Sequence, residues 1–321
     1  MRILLVSSTS FIGKNLAKSL ISSGHEVYSL DRTRINNQIP KDKIFLYDIC
    51  RPETIIQAFR IIKNIDVCIN LSGGAGASQS PKSIFQVNYI GVKYLYAACR
   101  IYRVKRFIQL SSASVYGKVK KGQVINESSD TFPFNNYSMA KLMADEYLMK
   151  NQNENTDVII LRLPLVYGKE TSVTIPGLVD KIKTSKFILF GKGKNIIHPL
   201  HVDNLTDLIV NIIDLKASNI SGLFVLSDND YFDLRFLLDT IANRFSPKKS
   251  YRVLPLSFLY FLYGISNFLN IIFGKALIKK ENLFFYSSSR VIDTSKAKKV
   301  LEYNPIHGYQ NKIFEAVDSF I

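Results

Sequence analysis

The sequence predicts an α/β protein: a doubly wound parallel sheet with helices on both faces, joined to a smaller, mainly helical lobe. Three observations carry this. Short apolar runs alternate with helical patterns through the first half of the chain. Strands buried on both faces read as such continuous runs, and helical connections between them make right-handed parallel crossovers. The rhythm then breaks after Gly168, where pieces become longer and richer in turn residues. With 321 residues, 47% of them hydrophobic and 21% charged, the chain can bury a large core in one big domain or two lobes.

The elements follow in order. The first run, 3–6, enters the small-residue turn SSTS, and the amphipathic pattern 12–22 leaves it as a helix. Runs 26–30 and 43–47 flank a polar loop, and Pro52 opens a helix over 52–62. Run 66–71 ends in the glycine pair Gly73 and Gly74, and Pro81 opens a long helix over 81–102. Run 106–110 leads into LSSASVYG, the pattern 138–151 is helical, and run 158–161 is the sixth strand. The expected division is a nucleotide-binding domain over 1–168, with segments from about 196–230 returning to it, and a substrate lobe over 169–321.

The turn between the first strand and helix sits where a dinucleotide fingerprint belongs. Glycine normally fills its first two special positions, because the chain turns tightly and a pyrophosphate approaches the backbone. Here Ser7 and Ser10 stand there, ahead of Phe11, Ile12 and Gly13. Asp31 closes the second strand 18 residues after Gly13, near the spacing of a carboxylate that accepts ribose hydroxyls. The combination predicts a Rossmann-type cofactor site. Asp31 should repel a 2′-phosphate and favour NAD, while Arg32 and Arg34 keep NADP open.

The chemistry lies further on. Tyr137 and Lys141 are four apart on one helical face, and Ser112 stands at a strand end. A neighbouring ammonium stabilises a phenolate and lowers a tyrosine pKa towards neutrality, where it acts as general acid or base. A strand-end serine can hydrogen-bond the same substrate oxygen.

In these residues the chain resembles the extended short-chain dehydrogenase/reductase family, in its nucleotide-sugar epimerase, dehydratase and ketoreductase branch. The likeness covers nearly the whole chain: the turn ending FIG, YDIC (47–50), NLSGG (70–74), VNYIGVKYL, SSASVYG, LRLPLVYG (161–168), HVDNL (201–205) and DTSKAKKVL (293–301). The interval from Ser112 to Tyr137 is similar to that of UDP-hexose 4-epimerases. The resemblance implies that Tyr137 is the acid/base, that Lys141 tunes it and holds the nicotinamide ribose, and that Ser112 binds the reacting oxygen. It places Asp31 at the adenosine ribose, Asp48 and Ile49 at adenine, and Leu71, Ser72 and Gly73 along the cofactor path. Asn88 supports the site from its helix, and Pro164 meets the nicotinamide carboxamide. The implied activity is an NAD-dependent 4-epimerase of a nucleotide sugar or polyprenyl-linked sugar, working through a transient keto sugar. A 4-keto sugar reductase is the alternative enzyme, and a dinucleotide-binding scaffold or sensor the alternative of another class. A homodimer is implied through helices of the nucleotide-binding lobe.

The departures fall on the substrate side. The arginine that grips the nucleotide diphosphate in epimerases is replaced by Ile197, beside Ile196, and an Asn after the sixth strand by Leu165. Lys192, Lys194 and Arg290 are the candidate replacements, although a lysine cannot form a bidentate fork. Residues 253–274 carry no charge; Tyr260, Gly264, Asn267 and Asn270 recur as a polar stripe opposite Phe258, Phe261, Ile265, Phe268 and Ile272. Such a stripe argues for a helix lying in a membrane interface, or against a protein core, over one that spans.

Composition excludes other classes. The net charge is +16, but the cations are spread without an aromatic-interleaved basic strand, so no nucleic-acid partner is expected. Cys50, Cys68 and Cys99 fit no metal or redox spacing, the four histidines come with no ligand set, and no metal is expected. The first residues run straight into a strand with no cleavage signal, which points to the cytoplasm, with peripheral contact at the inner face of a membrane through 253–274.

Overall fold

In the computed structural model, residues 1–33, 38–74, 80–120, 122–171, 174–215, 220–245, 248, 250–273, 278 and 280–321 are described; Arg34 lies outside them. Seven apolar runs form one parallel sheet: β1 (Arg2–Val6), β2 (Glu26–Asp31), β3 (Ile44–Leu46), β4 (Val67–Asn70), β5 (Arg106–Ser112), β6 (Asp157–Leu163) and β7 (Gly222–Val225). Their order is β3-β2-β1-β4-β5-β6-β7, so the chain reverses direction across the sheet between β1 and β4. In open sheets of this kind, ligands bind in the crevice beyond the strand C-termini at that reversal.

Side-chain alternation along β1 explains the two-faced cover. Ile3 and Leu5 pack with Leu16 and Leu20 of α1 (Phe11–Ser22), and with Leu205 and Ile209 from residues 202–214. Leu4 and Val6 face the other way, towards Ile55 and Phe59 of α2 (Pro52–Ile62) and towards Leu95 and Tyr96. Each such buried side chain contributes roughly 1.5–3 kcal/mol. The helix expected over 81–102 is not continuous. It runs as α3 (Pro81–Phe85), one π-helical turn (Gln86–Ile90) and α4 (Gly91–Ile101). Next come α5 (Asn136–Lys150), opened by an Asn135–Ser138 capping box, then α6 (Ile175–Lys183) and α7 (Val202–Asp214).

A second core gathers Leu178 and Ile182 of α6, Leu237 and Ile241 of α8 (Leu234–Asn243), and Ile313 and Val317 of a helix over Tyr309–Asp318. Beside it lie α9 (Leu256–Phe273) and α10 (Lys280–Ser287). Leu259 and Ser266 of α9 are buried, whereas Phe258, Phe261, Ile265 and Phe268 are exposed together with Tyr260, Gly264, Asn267 and Asn270. The described residues of both stripes face outward and a third side anchors the helix; the Ile272 side chain lies outside the described residues. No described helix is long and apolar enough to cross a membrane.

Candidate active site

The β1–α1 turn is built by its serines. Ser7 holds φ +66°, the left-handed region that favours glycine, and its side chain lies beside the Tyr47 hydroxyl. The Ser10 hydroxyl donates to the Ser7 carbonyl at 2.9 Å and accepts the Gly13 N–H at 3.1 Å, capping α1. Phe11 and Ile12 lie in the first turn, where backbone N–H groups have no intrahelical partner, which suits a pyrophosphate. Gly13 is required here. A Cβ would lie 2.5 Å from the Ser7 oxygen and 2.7 Å from Ser8 Cα, so any side chain pushes α1 off β1.

At the end of β2 the Asp31 carboxylate accepts Thr9 N–H (2.9 Å), Thr9 Oγ1 (2.9 Å), Ser8 Oγ (3.2 Å) and Arg32 N–H (3.0 Å). It is thereby fixed against the turn, and the Arg32 side chain is exposed beside it. Beyond β3, Asp48 Oδ1 accepts the Cys50 N–H, and Ile49 is buried against Gly91 of α4. The Leu71 N–H reaches the Val6 carbonyl, tying the end of β4 to β1.

At β4 and β5 the candidate catalytic residues converge. Lys141 of α5 donates to the carbonyls of Leu110 (3.0 Å) and Ser72 (3.2 Å), and its Nζ lies 5.9 Å from the Tyr137 ring centroid. Ser112 ends β5 with its hydroxyl beside the Tyr137 phenol and accepts the Ser114 N–H. Gly73, at φ +152°, leaves room for this cluster: a Cβ would lie 2.6 Å from Lys141 Nζ and 2.8 Å from Asn88 Oδ1. Asn88 sits in the π-turn, a distortion that often marks functional sites. Its Nδ2 donates to the Ile84 carbonyl at 2.9 Å, and its buried Oδ1 has no partner among the described residues.

The electrostatics differ from the spacing argument in one respect. Burial raises the Tyr137 phenol above its ordinary value, opposed by the Ser112 hydroxyl, so the lowering expected from Lys141 does not prevail. Burial also lowers Lys141 to about 8, with Asp145 pulling it back up.

Asp145 was not singled out from sequence, although it continues the face of Tyr137 and Lys141 by one more step of four. Its carboxylate accepts Ser111 Oγ and Arg162 Nε, both at 2.9 Å, and Arg162 Nη1 donates to the Tyr116 hydroxyl at 3.0 Å. All four residues are buried. Burial pushes the Asp145 carboxyl up, opposed by Arg162, by the Ser111 hydroxyl and by Lys141.

Pro164, after β6, lines a cavity of about 240 Å³ with Leu165, Ile196, Ile197, Phe134 and Arg290. Of the three candidate replacement cations, Lys194 pairs with Asp233 at 2.9 Å and Lys192 is exposed. Arg290 lines the cavity. Its Nη2 donates to the Gly117 carbonyl at 3.1 Å, its buried Nε has no partner among the described residues, and burial lowers its pKa.

A polar cluster lies where α7 begins. Asp228 accepts the His201 N–H (2.9 Å), Asn204 Nδ2 (2.7 Å) and the Tyr167 hydroxyl (3.0 Å), and burial pushes it up to about 6. Burial lowers His201 to about 4. The ligand atoms of His201, Asp203 and His307 lie within 4.8 Å of one another, the one group among the described residues that could hold a metal ion. His201 Nδ1 already accepts the Asp203 N–H as the cap of α7.

Known proteins share this architecture. The chain is 25% identical over 331 residues to a sterol-4-alpha-carboxylate 3-dehydrogenase (decarboxylating) of Dictyostelium discoideum, spanning 97% of this chain and 96% of that one. It is 26% identical over 224 residues to N-acetyl-alpha-D-glucosaminyl-diphospho-ditrans,octacis-undecaprenol 4-epimerase of Escherichia coli O157:H7, spanning 68% of this chain and 64% of that protein. The crystal structure of Thermus thermophilus UDP-glucose 4-epimerase complexed with NAD has the same fold, with a TM-score of 0.78 at 19% identity over 100% and 99% of the two chains. The model of the NAD dependent epimerase/dehydratase family matches residues 3–225, well over half of the chain. A sheet reversal with a capped nucleotide turn on one side and Ser112, Tyr137 and Lys141 on the other thus belongs to an NAD-dependent enzyme, a member of the NAD dependent epimerase/dehydratase family.

Proposed function

We propose that the protein is a 4-epimerase of a sugar carried on a diphosphate, with a polyprenyl carrier favoured over a nucleotide. The convergence of Ser112, Tyr137 and Lys141, together with a cavity whose one cation among the described residues is Arg290, carries this reading. NAD, when bound, supplies a nicotinamide that takes up a hydride and gives it back. Ser7, Ser10, Phe11, Ile12 and Gly13 would hold its pyrophosphate, and Asp31 and Arg32 its adenosine ribose. Asp48 and Ile49 would meet adenine, Leu71, Ser72, Gly73 and Asn88 would line its path, and Pro164 would face the carboxamide. The buried Asn88 Oδ1, without a partner among the described residues, fits a ligand that brings a donor.

Ser112 holds the reacting oxygen, and Tyr137 withdraws its proton and later returns it. Burial keeps the free phenol protonated, so its own proton must first pass to solvent; the Lys141 ammonium then stabilises the phenolate, which takes the substrate's proton. Arg290 pairs with the diphosphate, the anion its buried guanidinium lacks. Leu165, Ile196 and Ile197 make one wall of the cavity apolar, which suits the lipid carrier, while Thr174, Asn195, His198 and Ser288 are its polar lining beside Arg290.

The test combines mass spectrometry of the denatured protein with incubation on polyprenyl-diphosphate and UDP sugars. The expected result is retained NAD and an equilibrium mixture of C4 epimers without added NADH. One NADH consumed per product would assign a keto sugar reductase instead.

A further inference from the structure

We infer that α9 is a docking surface for an anionic bilayer, and that the cleft beside it leads a membrane-held substrate to Tyr137. The second half of this inference rests on the lipid-linked reading above; the first does not.

The surface is built like an interfacial helix. Leu259 and Ser266 fasten α9 to the lobe, the latter through the Ile278 N–H at 2.8 Å. The outward side offers Phe258, Phe261, Ile265, Phe268 and Ile271, with Phe261 and Phe268 each 62% exposed and Ile271 77% exposed. An apolar stripe of this size on one helix marks an interaction site. Charge selects the occupant. Residues 245–280 contain Lys248, Lys249, Arg252, Lys275, Lys279 and Lys280 and no Asp or Glu. Of these, Lys248, Arg252 and Lys280 are exposed at the two ends of α9. Aromatic side chains between cations match an anionic headgroup layer over acyl chains, whereas a second copy of this basic surface would be repelled.

The cleft gives the surface a purpose. A space of about 790 Å³ lies between α9, α10 and the segment before α5, walled by Phe132, Pro133, Tyr260, Tyr263 and Leu283. Lys118 and Lys280 also line it, which suits an anionic group entering with an apolar tail. Phe134 and Phe284, in edge contact at 4.6 Å, line both this cleft and the cavity containing Pro164 and Arg290. The cleft thus takes Tyr260 and Tyr263 from the helix that carries the apolar face, shares Phe134 and Phe284 with the cavity at Pro164, and includes Met139 of α5, two residues from Tyr137 in the chain.

Flotation of the whole protein with vesicles of phosphatidylglycerol and phosphatidylcholine tests the surface. The wild type should float with anionic vesicles at low salt and at least tenfold less with pure phosphatidylcholine, and 1 M salt should release most of it. The triple variant Phe258→Ser, Phe261→Ser, Phe268→Ser should lose flotation at least tenfold while keeping the wild-type melting temperature and NAD affinity. Turnover of UDP sugars should be unchanged and that of vesicle-borne polyprenyl-diphosphate sugar reduced at least tenfold. A wild type that stays unbound at low salt overturns the docking, even with epimerisation intact. A triple variant that falls from dimer to monomer in sedimentation also overturns it, since the face then belongs to a second copy. Flotation without epimerisation leaves the docking standing and removes the proposed reaction.

Discussion

Replacing Asp145 by Asn removes the carboxylate that acts on both Arg162 and Lys141 and leaves the side chain's shape nearly intact. The amide oxygen can still accept from Ser111 Oγ and Arg162 Nε, and the NH2 takes the place of the carboxylate oxygen that now has no partner. What changes is the field. Arg162 is 4% exposed and keeps only the Tyr116 hydroxyl as a second acceptor. Breaking a buried pair by neutralising one member costs about 3–5 kcal/mol, because the other charge stays behind. Spread over the unfolding entropy of 321 residues, that lowers Tm by about 4–7 °C. Lys141 loses the attraction that holds its pKa up, so it releases its proton below about 8. The limb of the kcat/KM profile that reports Lys141 therefore moves to lower pH. Circular-dichroism melts and a pH–rate profile on the same preparation read both effects. A melting temperature within a degree of wild type would refute the buried-pair argument, and an unmoved limb would show that Asp145 is not felt at Lys141.

Tyr137→Phe should retain fold and NAD affinity and lower kcat by about 10²–10⁴, the range for a lost general acid/base; unchanged turnover removes Tyr137 from the reaction. Ser7→Gly relieves a left-handed backbone worth about 1–2 kcal/mol and should tighten NAD binding in calorimetry. Weaker binding would mean that the serine side chain itself contacts the ligand, and tighter binding of NADP than NAD would overturn the role given to Asp31. Asp228→Asn imitates the protonated acid. The folded carboxyl, at about 6 against an ordinary 3.8, binds more protons than the unfolded one between those values, so its stability penalty is complete above pH 6 and vanishes below 3.8. The variant should melt several degrees above wild type at pH 8 and lose that advantage at pH 4; equal melts at pH 8 would show that the carboxylate bears no such penalty.

The sheet was legible because strands covered on both faces must be apolar throughout, and β1 to β6 were read within a residue or two of their ends. The turn, Asp31 and the Tyr137–Lys141 pair were legible because each depends on local spacing. Asp145 and Arg162 were not, since a charge pair between α5 and β6 leaves no pattern within either segment. The π-turn was missed because a long amphipathic run looks the same with one extra residue in it. For α9 the sequence shows two stripes, and the third side that anchors it, at Leu259 and Ser266, emerges only from packing against the lobe.

The π-turn at Gln86–Ile90 divides the rod from Pro81 to Ile101 into two halves that answer to different demands. Each α-helical residue advances about 100°, so one surplus residue rotates everything before it against everything after it. Beyond the turn, Val92, Leu95, Tyr96 and Cys99 satisfy the interior of the nucleotide-binding lobe. At the turn itself, Asn88 is aimed at Gly73 and Lys141. Deleting one residue there would heal the hydrogen-bond ladder and produce the better helix, but no single phase could then serve both the interior and the crevice. Selection for thermal resistance alone would favour that deletion, and a variant carrying it should melt higher than the parent while losing turnover, the mark of a helix kept imperfect for its chemistry.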